Sequence, residues 1–300
     1  MTYTFYPGCA LEASAVPYGR STEAVSKALG LELVHLDDWN CCGATCYTSM
    51  AEITSFAVSA RNLALAEPAE RDVVTCCNGC YMTLSKTNNY MRDDRRIGER
   101  VNAGLAAAGL KYEGTVEVRH FLDVVLNDLP EGAIASKVKV DLAGLRVAPY
   151  HGCQLVRPYA TFLEDEFPKG LDAVIEMCGA VPVDYPLTAK CCGGMLMQTS
   201  KDVSVKLCTS LMKLAMDRGA DCILTACPLC HMNLEGYQDA IGERMGREIQ
   251  MPIVYFPQLM GMAMGLPAQD VSLEASLVPV DDMLAKVKPL SEATEPVAAG

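Results

Sequence analysis

Ten cysteines of this 300-residue chain fall into two sets of five with matching spacing. The first set is Cys9, the adjacent pair Cys41-Cys42, and Cys77-Asn-Gly-Cys80. The second is Cys153, the pair Cys191-Cys192, and Cys227-Pro-Leu-Cys230. Positions 41, 42, 77 and 80 each recur 150 residues later, whereas Cys9 recurs after 144, so the second half carries six extra residues ahead of its cysteine pair. Thr75/Thr225, Met82/Met232 and Leu84/Leu234 keep the same 150 spacing, which marks an internal duplication. Thiolates are soft ligands that select zinc or iron–sulfur clusters. Structural zinc takes four ligands in a closed tetrahedron. Five thiolates, two of them adjacent, suit a multi-iron cluster better, because two irons can each take one sulfur of the pair. The linear cysteine run of bacterial ferredoxins is absent.

Other residues beside these positions have chemistry to offer. Gly8, Gly43, Gly152, Gly193 and Gly194 neighbour the ligands, where glycine permits close approach of the backbone to a bulky group. His151 and His231 adjoin ligand positions and are the catalytic candidates, as proton donors to a leaving thiolate; the alternative is a hydrogen-bonding role. Lys190 and Arg157 are candidates for binding an anionic substrate or balancing an anionic cluster, with a solvated surface as the alternative. Cys76 aligns with Ala226, and Cys46, Cys178, Cys208 and Cys222 have no counterpart, so these five are read as bystanders, small buried hydrophobes. Cys227-Pro-Leu-Cys230-His231 spells a haem-attachment motif. Its cysteines already belong to the repeat, however, and Tyr81 stands at the equivalent of His231.

Elements able to position these groups are legible on both sides of the midpoint. Short β-branched runs at 4–6, 32–35, 73–75 and 116–118 predict strands, and 145–148, 181–184, 223–225 and 253–255 repeat them. Helical patterns cover 18–29, 53–66, 159–177, 203–218 and 234–245, and residues 87–110 read as the end of one long helix plus a second. Strands alternating with helices predict an α/β fold: two duplicated parallel-sheet lobes related by a pseudo-twofold axis, with the cluster ligands on loops at strand ends. The expected lobes are residues 1–135 and 136–290, joined around 130–141. Few periodic signals follow residue 266, and 291–300 reads as a flexible tail.

Composition narrows the function. A net charge of −12 and a pI near 4.8 exclude a nucleic-acid surface, which needs a basic face. No run approaches the roughly 18 apolar residues of a membrane span; the short apolar piece 259–266 lies between Pro257 and Pro267. The start, Met-Thr-Tyr-Thr-Phe-Tyr-Pro-Gly-Cys, lacks a basic region and an apolar core, so no secretory signal is expected. A cytoplasmic location follows as the expectation, where thiols stay reduced and serve metals rather than disulfides.

The doubled Cys…Cys-Cys-Gly…Cys-x-x-Cys pattern, with Tyr6-Pro-Gly-Cys9, Cys77-Asn-Gly-Cys80-Tyr81 and His120-Phe-Leu-Asp123, resembles the cysteine-rich CCG domain and, in its two-copy form, the B subunit of heterodisulfide reductase. The resemblance runs from Tyr3 to about Leu266. It implies two 4Fe–4S clusters of non-cubane type, one on Cys9, Cys41, Cys42, Cys77 and Cys80, the other on Cys153, Cys191, Cys192, Cys227 and Cys230. It also implies an oxidoreductase acting on a sulfur group, reducing or forming a disulfide by paired one-electron transfers. The implied partners are the ferredoxin-like C subunit of such a complex, together with its flavoprotein A subunit. Two rival readings are an electron-relay subunit serving other proteins or a quinone, and a structural zinc protein.

Overall fold

The computed structural model describes residues 1–44, 47–159, 161–164 and 166–290. Cys46 and the expected tail 291–300 lie outside them. In the first half, β1 (Thr2–Phe5), β2 (Glu32–His35), β3 (Val73–Thr75) and β4 (Val118–His120) form a four-stranded sheet in the order β2-β1-β3-β4, parallel throughout. After β5 (Val140–Asp141), the second half repeats the plan. Here β6 (Arg146–Tyr150), β7 (Val181–Pro182), β8 (Cys222–Thr225) and β9 (Ile253–Tyr255) align as β7-β6-β8-β9, again parallel. The inner strands β3 and β8 are buried at every residue, as continuous apolar runs covered on both faces must be. The α/β class with two parallel sheets therefore stands.

Four details depart from the sequence reading. The strand expected at 116–118 begins two residues later, because the Val116 carbonyl accepts the Asn88 side-chain amide (3.0 Å). The helix expected over 159–177 is present only as Gly170–Met177; Ala160 and Asp165 lie outside the described residues, and Pro168 interrupts helical hydrogen bonding. The helix expected over 234–245 is divided into Pro228–Glu235 and Gln238–Met245 around Gly236, a poor helix former standing where the unbroken helix Asn78–Asp93 has Lys86. Beyond residue 266 the chain is ordered through helical turns Ala268–Val271 and Asp281–Leu284. It returns as β10 (Lys288–Pro289) to pair antiparallel with β5.

The largest apolar core belongs to both halves. Tyr3, Phe5, Tyr18 and Val25 pack into one cluster with Val147, Leu171, Val254 and Met260. Helix Val16–Leu29 of the first half lies against helix Phe256–Ala263 of the second. Tyr18 stacks on Tyr255 (centroids 4.1 Å apart, 12° between planes) and donates its hydroxyl to the Ala226 carbonyl at 3.2 Å. Each half also keeps a smaller core of its own behind its cysteine loops. The apolar piece around 259–266 is thus interlobe core, and among the described residues no helix is long and apolar enough to cross a membrane.

Candidate metal centres

In each sheet the strand order reverses between the two inner strands, β1 and β3 or β6 and β8, leaving a crevice at their carboxyl ends. The ten cysteines sit there. Cys9 follows β1 in a helical turn, Gly8–Leu11; Cys41 and Cys42 follow β2; Cys77 caps and Cys80 enters the helix after β3. Cys9 Sγ lies 3.9 Å from Cys41 Sγ, and Cys42 Sγ lies 3.4 Å from Cys80 Sγ. Hydrogen bonds from Cys42 and Cys9, aided by the Gly43 N–H, pull the Cys41 thiol down to about 2. In the second half Cys192 Sγ is 3.5 Å from Cys230 Sγ, and the Cys153 thiol bonds Cys191. That contact, opposed by burial and aided by the Gly193 N–H, brings Cys191 down to about 6. Cys41, Cys77, Cys191 and Cys192 are thus biased toward thiolate, the form that binds metal, while their partners, among them Cys9 and Cys153, are pushed up by the neighbouring thiols and by burial.

The backbone is shaped around these sulfurs in the same way twice. Gly8 (φ +72°) and Gly152 (φ +74°) occupy the left-handed region, and an added Cβ would stand 3.0 Å from Cys80 Sγ and 3.1 Å from Cys230 Sγ respectively. The hydroxyls of Tyr6 and Tyr150 reach the carbonyls of Asn40 (2.8 Å) and Lys190 (2.7 Å), tying each first strand to the loop that carries the cysteine pair. In the second half, Gly193 N donates to Cys191 Sγ (3.2 Å) and Gly194 N to Cys192 Sγ (3.4 Å). The cysteines of each half form a string of neighbouring thiols; among the described residues no three metal-binding groups close on the position of a single ion. An all-sulfur donor set, glycines at contact distance and N–H groups aimed at sulfur fit an iron–sulfur cluster.

The two strings meet. Cys77 and Cys227 perturb each other's thiols across the halves, Cys77 held down and Cys227 pushed up. Asn78 beside Cys77 donates to the His151 carbonyl at 2.7 Å, and a Cβ on Gly79 would stand 3.3 Å from Gln154 Oε1. Cys9, Cys41 and Cys191 are exposed, whereas Cys42, Cys80, Cys192, Cys227 and Cys230 are buried.

The structure places the remaining candidates as follows. His151 is fully buried: its Nε2 accepts from Leu171 N (2.8 Å) and its Nδ1–H donates to Thr188 Oγ1 (2.6 Å), so neither nitrogen is free. Burial holds its pKa down at about 3. His231 stacks on Tyr255 (4.2 Å, 10°), 3.5 Å from the Glu235 carboxylate, and burial lowers it to about 4. Lys190 and Arg157 are exposed. Cys76, Cys178, Cys208 and Cys222 are buried, and desolvation pushes their thiols up, Cys178 to about 12. The repeat already carried Tyr6 and Tyr150 at the 144 spacing of Cys9 and Cys153; Asn78 and His120 entered only inside the motifs of the resemblance, with no role assigned, and Asn233 gave no signal.

His120 ends β4 with its Nε2–H donated to the Cys76 carbonyl (2.9 Å) and its Nδ1 accepting from Leu122 N (3.1 Å). Burial lowers its pKa from 6.5 to about 4, the nearby Asp123 opposing. The unfolded chain therefore binds a proton that the folded chain refuses between these values. The resulting stabilisation is complete above pH 6.5 and is lost as pH falls toward about 4. The urea midpoint should drop across that window, and His120→Asn should flatten the drop by one proton's share. An unchanged slope in the variant would show that the ring titrates normally.

The family described as Cysteine-rich domain (CCG) matches the chain at residues 3–85 and again at 147–235. The chain belongs to the cysteine-rich domain family. Among family relatives is an 8-methylmenaquinol:fumarate reductase membrane anchor subunit from Wolinella succinogenes, 31% identical over 92% of this chain and 96% of that protein. The B subunit of a ferredoxin:CoB-CoM heterodisulfide reductase from Methanosarcina mazei is 29% identical over 96% of this chain and 97% of its own. A protein from Archaeoglobus profundus described as like the heterodisulfide reductase B subunit is 30% identical over 95% and 97%. A solved hypothetical protein from Helicobacter pylori shares the fold, with a TM-score of 0.75 and 16% identity over 93% of this chain, which spans about half (52%) of that structure.

Proposed function

We propose that this chain is the disulfide-converting subunit of a heterodisulfide-reductase-like complex, with one 4Fe–4S cluster of non-cubane type in each lobe, residues 1–135 and 136–290. The ligands would be Cys9, Cys41, Cys42, Cys77 and Cys80 in the first lobe, and Cys153, Cys191, Cys192, Cys227 and Cys230 in the second. When bound, such clusters supply electrons one at a time. The observation that carries the reading is the juxtaposition of the two cysteine loops, where Asn78, next to Cys77, donates to the His151 carbonyl at 2.7 Å and Cys77 and Cys227 perturb each other's thiols. Reducing a disulfide consumes two electrons and two protons and yields two thiols, so two adjacent one-electron centres match the demand. The exposed Cys9, Cys41 and Cys191 leave the outer side of each set open to a sulfur substrate or to a partner. His120 and His151, buried and neutral with both nitrogens engaged, hold the loops in place. The partners would be a ferredoxin-like C subunit, fed by a flavoprotein A subunit, and the location cytoplasmic. The B-subunit relatives of nearly equal length support this reading.

The deciding measurement is iron and acid-labile sulfide per chain on protein purified without air, with EPR spectra before and after adding a thiol. About eight irons, with a signal that shifts on thiol addition, is the expected result. Iron with no thiol response and no disulfide turnover would move the chain to an electron-relay role, which the fumarate reductase relative makes the specific rival. Zinc in place of iron would end the redox reading.

A further inference from the structure

We infer that Asn233 tunes the reduction potential of the second-lobe centre through a side-chain hydrogen bond to Cys192 that has no counterpart among the described residues of the first lobe. The inference rests on the cluster assignment above. Asn233 lies three residues after Cys230, on the same face of helix Pro228–Glu235, and is 1% exposed. Its Nδ2 donates to the Gly194 carbonyl at 2.9 Å and stands 3.6 Å from Cys192 Sγ. A carbonyl only accepts, so the amide nitrogen must face this way, and its second hydrogen is shared between Cys192 Sγ and the Cys192 carbonyl at 3.5 Å. With the Gly194 N–H at 3.4 Å, Cys192 Sγ thus faces two N–H donors.

The equivalent residue 150 positions earlier is Thr83, three after Cys80 in helix Asn78–Asp93. Thr83 is also buried (3% exposed), and its Oγ1 has no hydrogen-bond partner among the described residues. Its side chain is one atom shorter than asparagine and carries a single donor. The duplicated scaffold therefore presents an N–H to sulfur in one lobe and an idle hydroxyl in the other. Reduction adds negative charge that is shared onto ligand sulfurs, and a donor aimed at sulfur stabilises that charge and raises the potential. Water access acts likewise at the first lobe, where both Cys9 and Cys41 are exposed while Cys153 is half-buried. The two potentials are thus set by different means and can be moved separately, which allows the two electrons to be accepted in sequence.

The test is a potentiometric titration of the cluster-loaded chain followed by EPR. Asn233→Thr should lower one midpoint and leave the other where it was. Thr83→Asn should raise the midpoint that the first variant left alone, and the double swap should move the two in opposite directions. A residue that only tied the helix to the Cys192–Gly194 loop would shift neither midpoint in iron-replete protein, and that result overturns the proposal. So would equal movement of both midpoints. If Asn233→Thr loses iron, Thr83→Asn decides alone, an unmoved midpoint again being fatal. A wild-type chain without iron would instead remove the cluster assignment itself, a separate and recognisable failure.

Discussion

Cys192→Ser should lose about half of the iron, roughly four atoms of eight, with one of two EPR signals disappearing and the other unchanged. Serine offers a harder oxygen where the site is built for sulfur. The geometry also converges on this atom: Cys230 Sγ at 3.5 Å and N–H groups of Gly194 and Asn233 aimed at it. The mirror variant, Cys42→Ser, should erase the other signal, since Cys42 holds the same position 3.4 Å from Cys80. Cys178→Ala should keep all the iron, because Cys178 is buried away from both strings in the shared core. Equal loss from both sites in either serine variant would count against independent centres.

Tyr18→Ala should cost about 3–5 kcal/mol, the range for removing a large buried aromatic. Tyr18 is wholly buried, belongs to the first half, and makes its main contacts with the second, through the stack on Tyr255 and the bond to the Ala226 carbonyl. Ala226 directly precedes Cys227, so the loss falls next to the point where the two cysteine strings meet. Against a total stability of about 5–15 kcal/mol this is a large fraction. Urea unfolding followed by fluorescence checks it, with Tyr18→Phe as control, expected to lose about 1 kcal/mol for the hydroxyl alone. A cost below about 1 kcal/mol for the alanine variant would mean that the halves do not depend on this contact.

Much of the architecture was legible because duplication writes the same chemistry twice. Matching spacings identified the two cysteine sets, and alternating strand and helix patterns located eight sheet strands to within two residues. Periodicity reports only which face of an element is apolar, so it overran wherever one residue's backbone chemistry outweighed the pattern. Pro168 shortened one helix and Gly236 divided another. The β5–β10 pairing escaped because its two-residue strands are too short to carry a period.

By itself, then, the sequence determined the parallel α/β class, the doubling, and the residues able to offer thiolates, since all of these are properties of residue type and spacing along the chain. Tertiary structure alone decided that Tyr18 and Tyr255 join the halves in one core, that Asn78 beside Cys77 reaches the His151 carbonyl, and that His151 spends both ring nitrogens on neighbours. It also decided that Asn233 faces a sulfur while the Thr83 hydroxyl has no hydrogen-bond partner among the described residues. Each of these depends on how one lobe lies against the other or on a side chain's reach of a few ångströms, and neither distance is encoded by position along the chain.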